Sequence, residues 1–375
     1  MTSSCSAPSS CYVVTSSPEG KEPLQVCVYA TPGDIDRLAP EWRALMEASS
    51  HSHPFYDPSW HSTWWKHLGS GELHICTVGP EGGPLIAIAP LTLREDGLMR
   101  FVGGEDLTDY LDIVARDGAH EDAWRALLGY LNSPDGPAWK ELALHSVPGA
   151  SPTVAFFEAA GGAAGGGGTH GGGATIEAEN VCPVIPLPGS WDDYTGMLGQ
   201  REERELRRKI RKANMEPGLE FGRTLSEKEL EADLDDFVRL HELSQPEKAE
   251  FWNPSRSAFF REMAKEMLAL GWLDLSFMRV DGHPVAANFS LDYGDRIYLY
   301  NSGFDPGERE LSAGLVLLGQ NIEQAIQAGR ASFDLLRGDE PYKYRYAARD
   351  EGIRLIRLER PERLARPGRM TREGA

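Results

Sequence analysis

Between Phe333 and Tyr346 the chain reads Phe-Asp-Leu-Leu-Arg-Gly-Asp-Glu-Pro-Tyr-Lys-Tyr-Arg-Tyr. Asp339 or Glu340 could accept a proton and Tyr342 could donate one. Arg337 and Lys343 could bind a substrate, or pair with the two acids as a structural network. Gly338 and Pro341 bend the backbone between these groups. So polar a stretch is costly in a core and wasted on plain surface, which points to a site at the end of a strand. A second candidate lies upstream, in Asn301, Ser302 and Gly303 followed by Ser312, Ala313 and Gly314. Ser312 stands where a helix cap belongs. The small residues after it leave the first amides uncovered, which suits either an ordinary capped helix or an anion site.

The surrounding pattern must position these groups. Three strands are expected over 273–280, 284–291 and 296–303, joined by Asp281-Gly282 and Gly294-Asp295 turns. A helix follows Gly314 with Leu315, Leu318, Ile322, Ala325 and Ile326 on its buried face, closed by Gly329. Strand 332–336 then delivers the polar segment, and 352–358 is the last strand. Upstream, Ser190 caps a helix leading into Arg201–Lys212, where seven bases and three acids give a local net charge of +4. Arg204, Arg207, Arg208 and Arg211 share one side of it, either as a solvated face or as a contact for substrate phosphates. Helices are also expected from Ser226 and over 255–270. His241, alone on the inner edge of the first of these, reads as a hydrogen-bonded structural histidine rather than a base.

In the first half, 24–29 alternates like a strand and Asp34 can cap a helix bearing Leu38, Trp42, Leu45 and Met46. Asp57 or Ser59 starts a second helix in which Trp60 and Trp64 stand four apart, filling a core or walling a substrate cleft. Strands over 73–78, 85–93 and 99–102 form a meander, followed by a strand over 110–114, a helix over 121–131 and a strand over 141–145. Asp106, Asp109 and Asp112 read as turn and cap residues, not metal ligands. Nine glycines among residues 161–174 form no dinucleotide or Walker pattern and mark a linker. The resulting division is a disordered tail over 1–23, a first lobe over 24–160, a linker over 161–180, a second lobe over 181–358, and a basic tail over 359–375.

A net charge of -19 argues against a protein that coats nucleic acid or an anionic membrane. Five widely spaced cysteines without a C-x-x-C pair make a disulfide framework or zinc site unexpected, and no metal is expected. With no run of about 18 apolar residues and no charged, apolar leader, the chain reads as cytoplasmic.

The stretches Asp281-Gly-His-Pro-Val-Ala-Ala287, Tyr298-Leu-Tyr-Asn-Ser-Gly-Phe-Asp-Pro306, Leu311-Ser-Ala-Gly314 and 333–345 resemble signatures of the CelD-like branch of the GNAT acyltransferase superfamily, related to the FemAB aminoacyltransferases. Pro58-Ser-Trp60, Trp64-Trp65 and the basic helix near Arg207 extend the resemblance over most of 25–358. It implies an α+β fold of tandem GNAT-like lobes, with mixed central sheets flanked by helices, the first lobe degenerate and the second binding the donor. It further implies an N-acyltransferase with acyl-CoA as co-substrate, no tightly bound cofactor, and a small-molecule or saccharide amine as acceptor. On that reading Asp339, Glu340 and Tyr342 carry protons. Asn301 to Gly303 and Ser312 to Gly314 hold the donor, and Trp60, Trp64, Arg207, Arg208, Arg337 and Lys343 contact substrate. Loop 305–314 departs from the Arg/Gln-x-x-Gly-x-Gly/Ala motif of ordinary acetyltransferases. Two alternatives follow: a FemAB-like transferase using aminoacyl-tRNA, which the net charge disfavours, or a non-catalytic binding protein of polysaccharide or envelope biosynthesis.

Overall fold

The computed structural model describes residues 8–14, 22–162, 173–245, 250–308 and 310–361. Fourteen strands form one mixed sheet, with helices on its faces. In the first half β1 (Ser10–Val14), β2 (Leu24–Tyr29), β3 (Glu72–Pro80), β4 (Ala87–Leu93) and β5 (Leu98–Phe101) pair antiparallel in sequence order. Helix α3 (His120–Leu131) then crosses over to β7 (Glu141–Pro148), which lies parallel to β5. The second half repeats this winding. Strands β9 (Leu219–Arg223), β10 (Leu273–Val280), β11 (His283–Tyr293) and β12 (Arg296–Phe304) form an antiparallel meander. Helix α9 (Ala313–Gln327) crosses to β13 (Ser332–Asp334), parallel to β12. The halves are fused through β8 (Thr175–Pro186) and β14 (Arg349–Glu359), which pair antiparallel with each other while β14 also pairs with β7 and β8 with β13.

The helices form where their sequence punctuation places them. Helix α1 (Pro32–Glu47) starts at Thr31, and Asp34 sits at its third position, accepting from the Thr31 N–H at 3.0 Å. In α2 (Pro58–Leu68) Asp57 is the cap, and its fully buried carboxylate accepts from Ser59 N–H and from Arg43. The rest are α4 (Pro152–Gly162), α5 (Trp191–Met197), α6 (Gln200–Ala213), α7 (Glu227–Ser244) and α8 (Pro254–Ala269). Among the described residues no helix is long and apolar enough to cross a membrane, and no cluster of His, Cys, Asp and Glu could hold a metal.

Four expectations are corrected. Part of the 1–23 stretch is a strand: β1 pairs with β2, placing Cys11 directly opposite Cys27 and joining them in a disulfide. An odd cysteine count conceals a pairing that hairpin register creates, whereas Cys76 and Cys182 are free and buried. Residues 1–7 and 15–21 lie outside the described residues. Within the expected strand over 110–114 only Val114 pairs, with Ile88, as the first residue of β6 (Val114–Ala115). The preceding backbone is held instead by Asp112, whose carboxylate accepts from Ile113 N–H, Ser151 Oγ and Thr153 Oγ1. In the 161–180 stretch β8 begins at Thr175, and residues 163–172 lie outside the described ones. Beyond 358 the chain is still tied down at Arg360, which donates to the carbonyls of Pro137, Trp139 and Leu131; residues 362–375 lie outside the described ones.

The largest core joins both halves. Trp60 and Trp64, 0% and 3% exposed, sit in it with Phe55, Phe259 and Phe260. Trp60 donates to Thr108 Oγ1 at 3.0 Å, so these two tryptophans are packing residues rather than cleft walls. Between β12 and α7 the backbones nearly touch. A Cβ at Gly303 would fall within 3.0 Å of the main chain of Leu240 and His241. Gly303→Ala is therefore expected to cost about 1–3 kcal/mol or more, read as a lower denaturant midpoint. Gly314→Ala would meet only the Phe304 side chain at 3.3 Å and should cost much less; equal effects would contradict this account.

Candidate active site

The parallel strands β12 and β13 pair only from Arg296 to Tyr298 against Ser332 to Asp334. Past that point β12 runs on to Phe304, while the other chain turns away into the polar loop. The wedge between them opens a cleft of about 570 Å³. Leu299 and Ser302 of β12 line it, with Asn288 of β11 beside them. Leu198 and Leu206 form one apolar wall, and Phe304, Leu315 and Leu318 another.

A bulge shapes the strand at this point. Phe289 pairs with Asn301 and Ser290 with Leu299, so Tyr300 is the extra residue on β12. The side chains of Tyr300 and Asn301 thus both face α7 and α8. Tyr300 joins the aromatic core, and Asn301 Oδ1 accepts from His241 Nε2 at 3.1 Å. Trp252 Nε1 donates to the other ring nitrogen of His241, also at 3.1 Å, which fixes the proton on Nε2. His241, 2% exposed, is therefore a structural histidine. Of the expected donor triplet, Ser302 alone lines the cleft; Asn301 points away from it and Gly303 is a packing residue.

Ser312, Ala313 and Gly314 all line the cleft. Ser312 sits in the left-handed region at φ 53°, and its side chain makes no capping bond. Its carbonyl accepts from Leu315 and Val316. Among the described residues nothing accepts from the amides of Ala313 and Gly314. The positive end of α9 thus opens onto the cleft.

The polar loop is anchored from below. Asp334, fully buried, accepts from Tyr110 Oη at 2.9 Å, Arg296 at 3.2 Å and Leu336 N–H at 2.8 Å. Burial pushes its carboxyl up to about 6 against the pull of Arg296. Lys343 is 3% exposed, and its Nζ donates to the carbonyls of Leu336, Arg337 and Gly338 at 2.9, 3.0 and 3.0 Å. It also pairs with Glu340 at 3.0 Å. Arg337 reaches across to the first half, pairing with buried Asp109 at 3.1 Å and donating to the Glu105 carbonyl. Arg337 and Lys343 are thus structural cations and do not line the cleft. Asp339 is exposed and does not line it either, whereas Glu340 and Tyr342 do. The Tyr342 ring is 43% exposed, yet desolvation and the Glu340 charge push its hydroxyl up to about 12. It stays a proton donor over the whole neutral range.

Helix α6 turns its arginines away from the cleft, as a solvated basic face would. Leu206 and Ile210 pack over Gly319 of α9, which presents Glu202 and Glu205 to the cleft. Arg207 is held by Asp192 at 3.0 Å, Glu203 at 3.1 Å and Thr195 at 2.6 Å, and Arg208 is exposed on the outer side. Neither lines the cleft, so the basic face is not its wall. Among the described residues, Asp305, Glu308 and Glu340 bring the carboxylates lining the cleft to five, against Arg345 as the one lining cation. Sequence reasoning missed Glu202, Glu205, Asn288 and Arg345; Arg345 alone lay within the stretch that drew attention.

A sequence-family profile described as "Acetyltransferase (GNAT) domain" matches residues 200–344, the span containing this cleft. No curated protein matches the chain. Among solved structures it is similar to FemX, at 10% identity over 88% of this chain and 96% of that one, with a TM-score of 0.58. It is also similar to L-PGS from Bacillus licheniformis, at 11% identity over 87% and 93%, with a TM-score of 0.54. These two likenesses concern the fold. Residues 200–344 thus carry the match to the GNAT acetyltransferase domain, and the chain shares its overall fold with FemX.

Proposed function

We propose that the protein is an N-acyltransferase that moves an acyl group from acyl-CoA to an amine by direct attack in a ternary complex. One observation carries this reading: the amides of Ala313 and Gly314, from which no described residue accepts, the splayed edge of β12, Glu340 and Tyr342 all open onto a single cleft. The donor pyrophosphate lies at the α9 amides, aided by Arg345, and the main chain of β12 aligns the thioester carbonyl. Glu340 takes a proton from the acceptor's ammonium group as the amine nitrogen attacks. The C–N bond forms, the C–S bond breaks, and Tyr342 gives its proton to the departing sulfur. The carboxylates around the cleft favour an acceptor that arrives as a cation.

The aminoacyl-tRNA alternative relied on Arg207 and Arg208, which lie outside the cleft. A melting scan against CoA and a panel of acyl-CoAs tests the proposal. Saturating donor is expected to raise the melting temperature by a few degrees. A flat response across the panel would exclude acyl-CoA as donor.

A further inference from the structure

The first half contains a counterpart of the cleft, and its own chain closes it. Strands β5 and β7 pair only at Leu98 and Met99 against Glu141 and Leu142. Beyond that point the Leu111 N–H donates to the Ser146 carbonyl of β7 at 2.9 Å, and Leu107, Leu111 and Ile113 are buried. Two residues of this plug reach the second half instead. Tyr110 Oη donates to Asp334 Oδ2 at 2.9 Å, and Asp109 pairs with Arg337 at 3.1 Å. These partners bracket Leu336, which is left-handed at φ 53° and whose N–H donates to the other oxygen of Asp334. The loop that carries Glu340 and Tyr342 to the cleft thus leaves β13 through a strained turn gripped on both sides by consecutive residues of the first half. The Tyr110 ring is itself fixed. His53 stacks on it with ring centroids 4.3 Å apart, and His53 Nδ1 lies 3.2 Å from Tyr298 Oη on β12.

Resting on the acyl-transfer reading, we infer that Tyr110 and Asp109 are positioning residues. Acting through Asp334 and Arg337, they set Glu340 and Tyr342 against the reacting atoms, so the closed half completes the site of the open one. A positioning role, unlike a plain tie between the halves, makes turnover follow the charge of Asp334. Around that carboxylate stand Tyr110, Arg296 and Tyr298 of β12, Cys182 of β8 and Glu351 of β14. Burial pushes it up to about 6, against the pull of Arg296 and the bonds from Leu336 and Tyr110. Removing the Tyr110 hydroxyl takes away a bond to the ionised form and lets the carboxyl rise further. The turn then loosens at a pH where the wild-type turn is intact. His53, held down to about 3 by burial, stays neutral throughout this range and adds no charge of its own.

The test compares wild type, Tyr110→Phe and Asp109→Asn, the first keeping the ring and its packing and the second keeping the shape of the side chain. It measures hydrogen exchange over residues 335–346, calorimetric binding of acetyl-CoA, and turnover of acetyl-CoA with a panel of primary amines. Both variants are expected to exchange faster over 335–346 with α9 unchanged, and to bind acetyl-CoA within about twofold of wild type. They should lose kcat about tenfold, the effect of one buried hydrogen bond on a step that needs the loop in place. For Tyr110→Phe the loss should be several-fold larger at about pH 6 than at about pH 8. Unchanged kcat in both variants, or a Tyr110→Phe loss that is the same at both pH values, would overturn the assignment while leaving acyl transfer intact. Acetyl-CoA affinity that falls in step with kcat would also overturn it, because the plug would then shape the donor cleft rather than the loop. Wild type that transfers the acetyl group to none of the amines would overturn the acyl-transfer reading and this inference together.

Discussion

Lys343→Met should destabilise the protein by about 3–5 kcal/mol, more than any other single change in the polar loop. Methionine matches the length and apolar stem of lysine but offers no donor. The carbonyls of Leu336, Arg337 and Gly338 would each lose the Nζ that now sits 2.9–3.0 Å away. They lie beneath the loop, where water cannot replace it freely. The amides of Leu336 and Gly338 are held by Asp334 and by the Val181 carbonyl, so the lysine serves the carbonyl side of this backbone. Leu336 sits at φ 53° and Gly338 at φ 114°, and a left-handed leucine persists only where its surroundings impose it. The Glu340 ion pair is a minor part of the arrangement, since that side chain is 56% exposed. Glu340→Gln should accordingly cost less than about 1 kcal/mol. Urea unfolding of the two variants separates these contributions. A Lys343→Met protein within about 1 kcal/mol of wild type would show that the carbonyls find other partners.

The same lysine shows how far the sequence could be read. The elements around it were legible because local chemistry announces them: Asp281-Gly282 and Gly294-Asp295 mark two hairpins, and the spacing of Leu318, Ile322 and Ala325 marks one helix face. The polar loop was legible as a place. The direction of each side chain within it was not, because a lysine aimed at carbonyls beneath the loop and one aimed at a substrate have identical neighbours in sequence. Helix α6 makes the same point. Its charges of both signs recur at helical spacing, and only the seating of Leu206 and Ile210 on Gly319 decides that glutamates rather than arginines meet the cleft. Trp60 and Trp64 were ambiguous for a related reason. A pair four apart marks an apolar face, and what covers that face, here Phe259 of the other half in the case of Trp60, comes from nearly two hundred residues away.

Tyr342→Phe and Glu340→Gln are each expected to lower kcat by about 10²–10⁴-fold with donor affinity little changed, the range associated with losing a positioned acid or base. The alkaline side of the pH profile bears on Tyr342. With its hydroxyl pushed up to about 12, Tyr342 remains protonated well above neutrality, so wild-type kcat should show no alkaline fall below roughly pH 11. Neither change should unfold the protein. Tyr342 is 43% exposed, and Glu340 holds Lys343 only as a fourth partner besides three carbonyls. Lost turnover with retained stability and donor binding therefore marks a chemical role. The opposite result is equally informative: if both variants turn over within about threefold of wild type, proton transfer is left to water. Rate enhancement would then rest on alignment by β12 and the α9 amides alone, with Glu340 and Tyr342 reduced to lining.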